Sequence, residues 1–278
     1  MHEEAFRFGR ASHLVGVAGL PPTGVRETTG VVLLNAGLVH HVGPFRLHVE
    51  LTRALNTLGY PTLRFDLSTI GDSGSSGESQ TRHQQICADV DDAMNLLAHE
   101  AGCSRFVLVG LCSGAQNAHV VACTDPRVAG AVFMDGYAYR TLGFKVRHYL
   151  PRLMKPASLL RRLTRRRAAK GVPGAQAQPV FAVAASPRAV VRADFTGMVE
   201  RGMRLCLIYS GGISNFFNHP RQFRECFGAV MRSPEVTTFF VRESDHTYVL
   251  TPDRQRLIER IGQWLSLNFP VQRAGSTS

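Results

Sequence analysis

A sharp turn around Cys112 restricts the possible folds of this chain more than any other segment. An apolar run over residues 105–109 predicts a buried strand before the turn, and helix-compatible sequence follows from Ser113. Gly110 and Gly114 flank the cysteine at Gly-x-Cys-x-Gly spacing. A strand-to-helix turn this tight leaves no room for a side chain at either glycine, and it lifts the central side chain above the sheet in a strained conformation. The segment therefore predicts an exposed thiol at the junction of a strand and a helix.

Most of the remaining sequence alternates between strand-like and helix-like segments. Predicted strands cover residues 31–35, 61–67, 128–134, 205–209 and 236–241, with two leading antiparallel strands over 5–8 and 14–17. Predicted helices cover residues 45–58, 82–101, 113–123, 221–230 and 252–267. Repeated β–α units imply a mainly parallel sheet with helices on both faces, so the predicted fold class is α/β.

The alternation is interrupted between residues 136 and 196 by an irregular, basic stretch. Residues 136–193 contain 13 Lys and Arg and no Asp or Glu, whereas the whole chain carries +11, so the remainder carries about −2. We interpret residues 136–196 as a lid or cap inserted into a core formed by residues 1–135 and 197–278. A basic patch favours an acidic partner, and a simple solvated face is the alternative. The stretch has few interleaved aromatic residues and no recognised motif, which disfavours nucleic-acid binding.

The overall composition predicts a globular protein without the signatures of a membrane span, a disulfide framework or a zinc site. Of the 278 residues, 44% are hydrophobic, which is ample for a complete core. No apolar run approaches the ~18 residues of a membrane span, and the first ten residues do not resemble a signal peptide. The six cysteines have neither CxxC spacing nor a zinc-binding pattern. We therefore expect a cytoplasmic protein with no membrane span, no cofactor and no metal ion, whose oligomeric state the sequence does not indicate.

His246 is the expected general base for the thiol, because it lies between the last predicted strand and the last predicted helix. Asp135 is the expected acid that orients the histidine, since it closes an apolar strand and is costly to bury without a partner. The loop after the strand at 205–209 contains no carboxylate. Asn215 in that loop is the alternative, as a neutral amide that would orient the imidazole ring and lie in the substrate pocket.

Two backbone N–H groups are expected to stabilise an oxyanion. One belongs to Ser113 at the start of the helix, where the helix dipole also favours the thiolate. The other belongs to Ala36 or Gly37, in the loop after the first parallel strand. His40 and His41 in that loop are expected to line the substrate pocket, and no third histidine or carboxylate flanks them as a metal ligand would.

Two other interpretations of the turn remain open. Cys112 can be a buried structural thiol in a glycine-containing turn. Ser113 can be the nucleophile instead, although this would place Leu111 where the turn requires its first glycine.

Four motifs carry a resemblance to a known family. They are Leu34-Asn35-Ala36-Gly37, Leu63-Arg64-Phe65-Asp66, Gly110-Leu111-Cys112-Ser113-Gly114-Ala115 and Asp245-His246-Thr247. Through them, residues 31–268 resemble the α/β-hydrolases, in particular the bacterial serine-aminopeptidase-like hydrolases, including those associated with exosortase systems. The cysteine in place of the usual serine is also similar to that of dienelactone hydrolases, with their Cys-His-Asp triad, and of cysteine acyltransferases. The missing carboxylate after the strand at 205–209 departs from the common pattern.

The resemblance implies a hydrolase that acts on a small-molecule ester or thioester through a covalent acyl-Cys112 intermediate. One alternative is a cysteine acyltransferase or thioesterase that passes the acyl group to or from an acceptor, because thioesters react more readily with amines and thiols than with water. An acidic acyl carrier protein would then suit the basic lid. A further alternative is a non-catalytic member of the fold that binds its partner through the lid.

Overall fold

An eight-stranded sheet forms the centre of the molecule, whose computed structural model describes residues 2–21, 29–153 and 186–271. The strands are β1 His2–Phe8, β2 Leu14–Leu20, β3 Thr29–Leu34, β4 Thr62–Phe65, β5 Arg105–Leu111, β6 Val128–Met134, β7 Arg204–Ser210 and β8 Val236–Val241. Their order across the sheet is β1-β2-β4-β3-β5-β6-β7-β8. β2 pairs antiparallel with β1 and with β4, and all other neighbours are parallel. The predicted α/β class and the two leading antiparallel strands are therefore confirmed.

Seven α-helices cover the two faces of the sheet in the described residues. They are α1 Leu47–Thr57, α2 Arg82–Ala101, α3 Ser113–Thr124, α4 Leu142–Leu153, α5 Arg188–Glu200, α6 Gln222–Phe227 and α7 Thr251–Asn268. Apolar side chains of α2, α3, α5 and α6 pack on one face, and those of α1 and α7 pack on the other. With both faces covered, every residue of β3 is buried, as expected for a central parallel strand. None of the described helices is both long and apolar enough to cross a membrane.

Local sequence explains where the helices begin and end. α2 begins at a capping box, in which the Thr81 side chain accepts from the Gln84 N–H, and it ends at Gly102 in the left-handed conformation. α1 begins later than the sequence suggests, because Phe45 and Arg46 adopt positive φ angles of 48° and 65°. Apolar spacing therefore predicts that α1 and α2 exist, but residues with positive φ angles determine where α1 begins and where α2 ends.

The stretch predicted to be irregular contains two helices, α4 and α5, so that expectation is wrong for its described parts. Val191, Phe195 and Met198 lie at helical spacing on α5 and are buried against the sheet. Interspersed basic residues hide this spacing in the sequence. α5 crosses the predicted lid boundary at residue 196, and residues 154–185 lie outside the described residues. The lid therefore stays a prediction.

The interior of α5 offers a direct test of this helix. A Cβ added at Gly197 would have no atom within 4 Å, and the residue is helical. We expect Gly197→Ala to raise the free energy of unfolding by about 0.5–1 kcal/mol, because alanine loses less backbone entropy in a helix. Urea denaturation followed by circular dichroism measures the change.

The matched control is Gly130→Ala in β6, whose added Cβ would lie 2.8 Å from the Phe269 ring. This variant should be destabilised by about 1–3 kcal/mol through overpacking. Destabilisation by Gly197→Ala would contradict the presence of α5.

Candidate active site

Cys112 occupies the turn between β5 and α3, with φ 58° and ψ −118°. A Cβ at Gly110 would overlap the backbone of Gly114, and one at Gly114 would lie 2.5 Å from the Asn35 carbonyl oxygen. The Cys112 N–H donates to the Met134 carbonyl oxygen at 2.8 Å, which holds the turn against β6. Both glycines are thus required, and the cysteine side chain is partly exposed, as the sequence predicts.

Asp135 and His246 meet at the same edge of the sheet as the cysteine. β6 lies directly beside β5, so the residue that follows each strand comes close to the other. The His246 Nδ1 lies 2.8 Å from the Asp135 Oδ2. Asn215 is exposed, and its backbone carbonyl oxygen accepts from the Arg140 Nε at 2.9 Å. The structure therefore favours Asp135 over Asn215 as the partner of the histidine.

Ser210, the last residue of β7, completes the environment of Asp135. Its N–H and its hydroxyl donate to the two oxygens of the Asp135 carboxylate at 2.8 and 2.6 Å. The Asp135 side chain has no solvent exposure, so these donors replace the water that the carboxylate loses. This role of Ser210 was not predicted, because its only sequence signal is a polar residue directly after the predicted strand at 205–209.

The same loop also leaves space for the histidine. Added Cβ atoms at Gly211 and Gly212 would overlap the backbone of Arg242 and of His246. The Gly212 N–H donates to the Ser244 carbonyl oxygen at 3.2 Å. The pair of glycines after β7 thus allows the loop after β8 to approach closely. This close approach gives a reason for the absence of a carboxylate there.

The charge state of His246 follows from its neighbours. Burial lowers the pKa of the ring, but hydrogen bonds and charge interactions with Asp135 and Cys112 outweigh it and raise the pKa to about 10. Asp245, its neighbour in sequence, accepts from the N–H groups of Thr247 and Val249 and so shapes the loop. The geometry therefore favours an imidazolium held between a carboxylate and a thiol group.

The two predicted oxyanion residues are in contact. The Gly37 N–H donates to the Ser113 Oγ at 2.6 Å. Ser113 is the first residue of α3, where backbone N–H groups have no partner within the helix. The N–H groups of Gly37 and Ser113 and the Ser113 hydroxyl therefore lie together beside Cys112, whereas Ala36 is buried.

Asp66 fixes the loop that carries Gly37. Its buried carboxylate accepts from Asn35 Nδ2 at 2.8 Å, from the N–H and Nδ1 of His41 at 2.6 and 2.9 Å, and from the Asp72 N–H at 3.0 Å. Burial raises the pKa of Asp66, but these hydrogen bonds outweigh it and leave the pKa below its ordinary value. His41 thus supports the loop, while His40 is exposed beside it. The expectation that both line the substrate pocket stays a prediction.

The pairing of Asp135 with His246 predicts how stability depends on pH. The imidazole has an ordinary pKa of 6.5 and a folded value of about 10, so its contribution is complete below pH 6.5 and is lost as pH rises toward 10. In Asp135→Asn, the pKa of His246 should fall and this loss should shrink. Histidine NMR titration measures the pKa, and urea midpoints from pH 6 to 10 measure the stability.

Asp245→Asn is the matched control, because the Asp245 carboxylate bonds to Thr247 and Val249 rather than to the ring. It should leave the pKa of His246 near 10. An unchanged pKa in Asp135→Asn would mean that the carboxylate does not hold the imidazolium.

Comparison with known proteins agrees with this geometry. The sequence pattern of the Alpha/beta hydrolase family matches residues 31–265. No curated protein matches the chain. Solved structures of similar fold include an esterase of Pyrococcus furiosus (TM-score 0.61, 15% identity, 96% of this chain and 91% of that one). A serine hydrolase without lid from Xanthomonas campestris has a TM-score of 0.57 at 12% identity, over 98% of this chain and 96% of that one. A serine hydrolase homologue from Coxiella burnetii has a TM-score of 0.56 at 15% identity, over 94% of this chain and 96% of that one. With its eight-stranded sheet, its turn at Cys112 and a family match over most of its length, the chain belongs to the α/β hydrolase family.

Proposed function

We propose that this protein hydrolyses carboxylic esters through an acyl-enzyme intermediate on Cys112. The observation that carries the proposal is the hydrogen-bonded series Cys112–His246–Asp135 at the carboxyl edge of the sheet. A nucleophile beside a base that is itself oriented by a third group is the common arrangement for acyl transfer.

Acylation begins from a thiolate and an imidazolium. The Cys112 Sγ attacks the ester carbonyl carbon, and the carbonyl electrons move to the oxygen to form a tetrahedral oxyanion. When the oxyanion collapses, the bond to the leaving oxygen breaks, and His246 protonates the departing alcohol. A thioester on Cys112 and a neutral His246 remain. Because the pKa of His246 is near 10, its role in this step is that of a general acid.

Deacylation uses the neutral form of the same ring. His246 takes a proton from water, whose oxygen attacks the thioester carbonyl carbon, and the carbon–sulfur bond then breaks to release the acid. The product leaves the original thiolate and imidazolium pair. Asp135 stabilises the charge that returns to the ring.

The hydrogen-bond donors around Gly37 and Ser113 are suited to stabilise the tetrahedral oxyanion of acylation and the corresponding oxyanion that forms when water attacks the thioester. The Ser113 N–H at the start of α3 is a preorganised donor that needs no rearrangement as charge develops, whereas the Gly37 N–H already donates to the Ser113 Oγ. The Ser113 hydroxyl already accepts from Gly37, so its own proton can be donated to an oxyanion. In this role Ser113 is a donor and not the nucleophile.

Exposed apolar side chains favour an apolar acyl group. Leu38 follows β3, Leu142 and Val146 follow β6, and Leu250 follows β8, so all four lie on the segments that leave the carboxyl edge of the sheet. Their exposed fractions range from 58% to 90%, and exposed large apolar residues that follow several strand ends are suited to contact an apolar ligand. We therefore place the acyl chain of the substrate against this edge.

The nature of the nucleophile can be tested by intact mass spectrometry with p-nitrophenyl esters. We expect an acyl adduct on the wild-type chain, none on Cys112→Ala, and an adduct retained on Ser113→Ala. His246→Ala should lower kcat/KM by about 10²–10⁴-fold, the usual contribution of an acid–base group. Circular dichroism confirms that each variant folds.

The lifetime of the adduct distinguishes the alternatives. Repeated turnover with water alone supports the hydrolase. An adduct that persists until an amine or thiol is added would instead indicate an acyltransferase, for which the basic segment would favour an acidic acyl carrier protein. An adduct that survives Cys112→Ala but is lost in Ser113→Ala would place the nucleophile at Ser113. The absence of any adduct or turnover across the ester series would contradict the enzymatic proposal.

The apolar edge predicts a preference for longer acyl chains. Each buried methylene contributes about 0.8 kcal/mol, so kcat/KM should rise by up to about fourfold per methylene from acetyl to hexanoyl esters. Leu250→Ser should lower kcat/KM for the hexanoyl ester and leave that for the acetyl ester nearly unchanged. Steady-state kinetics with the ester series measures both effects.

Leu267→Ser is the matched control. Leu267 is 83% exposed near the far end of α7, roughly 24 Å along the helix from Thr251. This variant should not alter the chain-length profile. A flat profile in the wild type would exclude acyl binding at the apolar edge.

A further inference from the structure

A second group of reactive side chains lies between α3 and α5. The His119 Nε2 is 3.3 Å from the Asp194 Oδ2 and 3.9 Å from the Cys123 Sγ. One atom from each of the three residues lies within 4.8 Å of the others. His119 lies on α3, six residues or roughly 9 Å along the helix from its first residue Ser113, and it takes no part in the proposed triad.

The distances match those between the ligands of a tetrahedral metal ion. With metal–nitrogen and metal–oxygen bonds of about 2.1 Å and metal–sulfur bonds of about 2.3 Å, neighbouring ligand atoms lie about 3.3–3.6 Å apart. The His119–Asp194 separation of 3.3 Å falls in this range, the His119–Cys123 separation of 3.9 Å is slightly above it, and the third pair lies within 4.8 Å, so side-chain rotations would bring the three ligand atoms to metal-binding distances. Imidazole, thiolate and carboxylate together are typical ligands of Zn²⁺.

The surroundings of His119 resemble the outer shell of a metal site. The Tyr137 hydroxyl lies 3.2 Å from the His119 Nδ1, which leaves Nε2 directed at Cys123 and Asp194. The rings of Phe133 and Phe195 pack against the imidazole edge and restrict its rotation. A hydrogen bond to the second ring nitrogen fixes the orientation of most metal-binding histidines.

The site is also accessible. The His119 side chain is 4% exposed, whereas that of Asp194 is 30% exposed and Cys123 is partly exposed. An ion can therefore approach from the side of the aspartate and come to rest against the buried histidine. The fourth position of a tetrahedron would face the solvent, which leaves room for a water molecule.

We propose that His119, Cys123 and Asp194 bind one Zn²⁺ ion, with water as the fourth ligand. The bound ion joins α5, the first described helix after residues 154–185, to α3, which begins directly after Cys112. No local sequence pattern indicates this site, because Asp194 is distant in the chain from His119 and Cys123. The proposal does not depend on the proposed esterase activity.

Binding requires the release of one proton. Burial and the nearby Asp194 carboxylate raise the pKa of the Cys123 thiol to about 11, and Arg201 opposes this. Burial also lowers the pKa of His119, although Asp194 opposes it, and so favours the neutral ring. The thiol loses its proton to solvent when the sulfur–zinc bond forms, so the apparent affinity should rise about tenfold per pH unit between pH 6 and 8.

The other described cluster of this kind, His41 with Asp66 and Asp72, is a poorer candidate. Both Asp66 oxygens accept N–H groups from the surrounding loops, as described above. An ion there would displace the hydrogen bonds that fix the loop of Gly37.

Cobalt(II) titration tests the zinc proposal without reference to activity. The chelator-treated Cys112→Ala chain is used, so that the triad thiol cannot bind the metal. We expect one Co²⁺ per chain, with tetrahedral d–d absorption and a thiolate-to-cobalt charge-transfer band, and displacement of Co²⁺ by Zn²⁺. Adding Cys123→Ser should abolish the charge-transfer band, and adding Asp194→Asn should weaken binding by at least about tenfold.

Cys87→Ser is the matched control, because Cys87 is a similarly half-buried thiol close enough to Cys123 to affect its titration. It should keep the band and the affinity. Circular dichroism verifies folding, and if Cys123→Ser does not fold, the partly exposed Asp194→Asn decides the result. A missing band, a band that survives Cys123→Ser, or unchanged affinity in Asp194→Asn would overturn the proposal.

Discussion

The buried carboxylate of Asp135 is the constraint that organises the edge of the sheet where the thiol lies. A carboxylate without solvent contact is stable only when charged or hydrogen-bonding partners replace water. Ser210 supplies two donors and His246 supplies the third contact, so the ends of β6, β7 and β8 must meet at one point. Any shift in strand register that moved one of these residues would leave the charge unsatisfied. The same interaction therefore stabilises the fold and positions the imidazole.

This requirement also explains the placement of the acid. Because β5 and β6 are neighbours, a carboxylate after β6 reaches a histidine that faces the thiol after β5. The loop after β7 is then free to carry Gly211 and Gly212, whose missing side chains allow the His246 backbone to approach. A bulkier acidic loop at this position would push the histidine away. The carboxylate that contacts the histidine therefore follows β6 in this chain, and not β7 as the common family pattern would place it.

Sequence patterns predicted the elements that depend on local interactions. β6, β8 and α2 were predicted with their observed limits, because β6 is a mostly buried apolar run, β8 is a half-buried run of β-branched and aromatic residues, and a capping box and a terminal glycine bound α2. α5 was missed because arginines interrupt its apolar face, and α4 because its apolar residues are largely exposed. In the site, glycine spacing predicted the turn at Cys112, and chain order predicted the loop that carries His246; their roles stay predictions. The contact between Gly37 and Ser113, the donors from Ser210 and the group around His119 all join distant segments, and no local pattern encodes them.

A thiol beside an imidazolium changes which step limits the reaction. With serine as the nucleophile, the ring must first remove a proton, and a pKa near 10 would oppose this. With cysteine as the proposed nucleophile, a raised pKa is no obstacle, because the proton held on His246 is the one that the leaving group takes up, and Asp135 stabilises its charge. Deacylation then requires the neutral ring, which exists only after the leaving group has taken its proton. Because that neutral state loses the favourable pairing with Asp135, the ring readily regains a proton, and attack by water becomes the slow step. In the proposed reaction, the pairing of His246 with Asp135 that favours formation of the acyl-cysteine therefore also prolongs its lifetime.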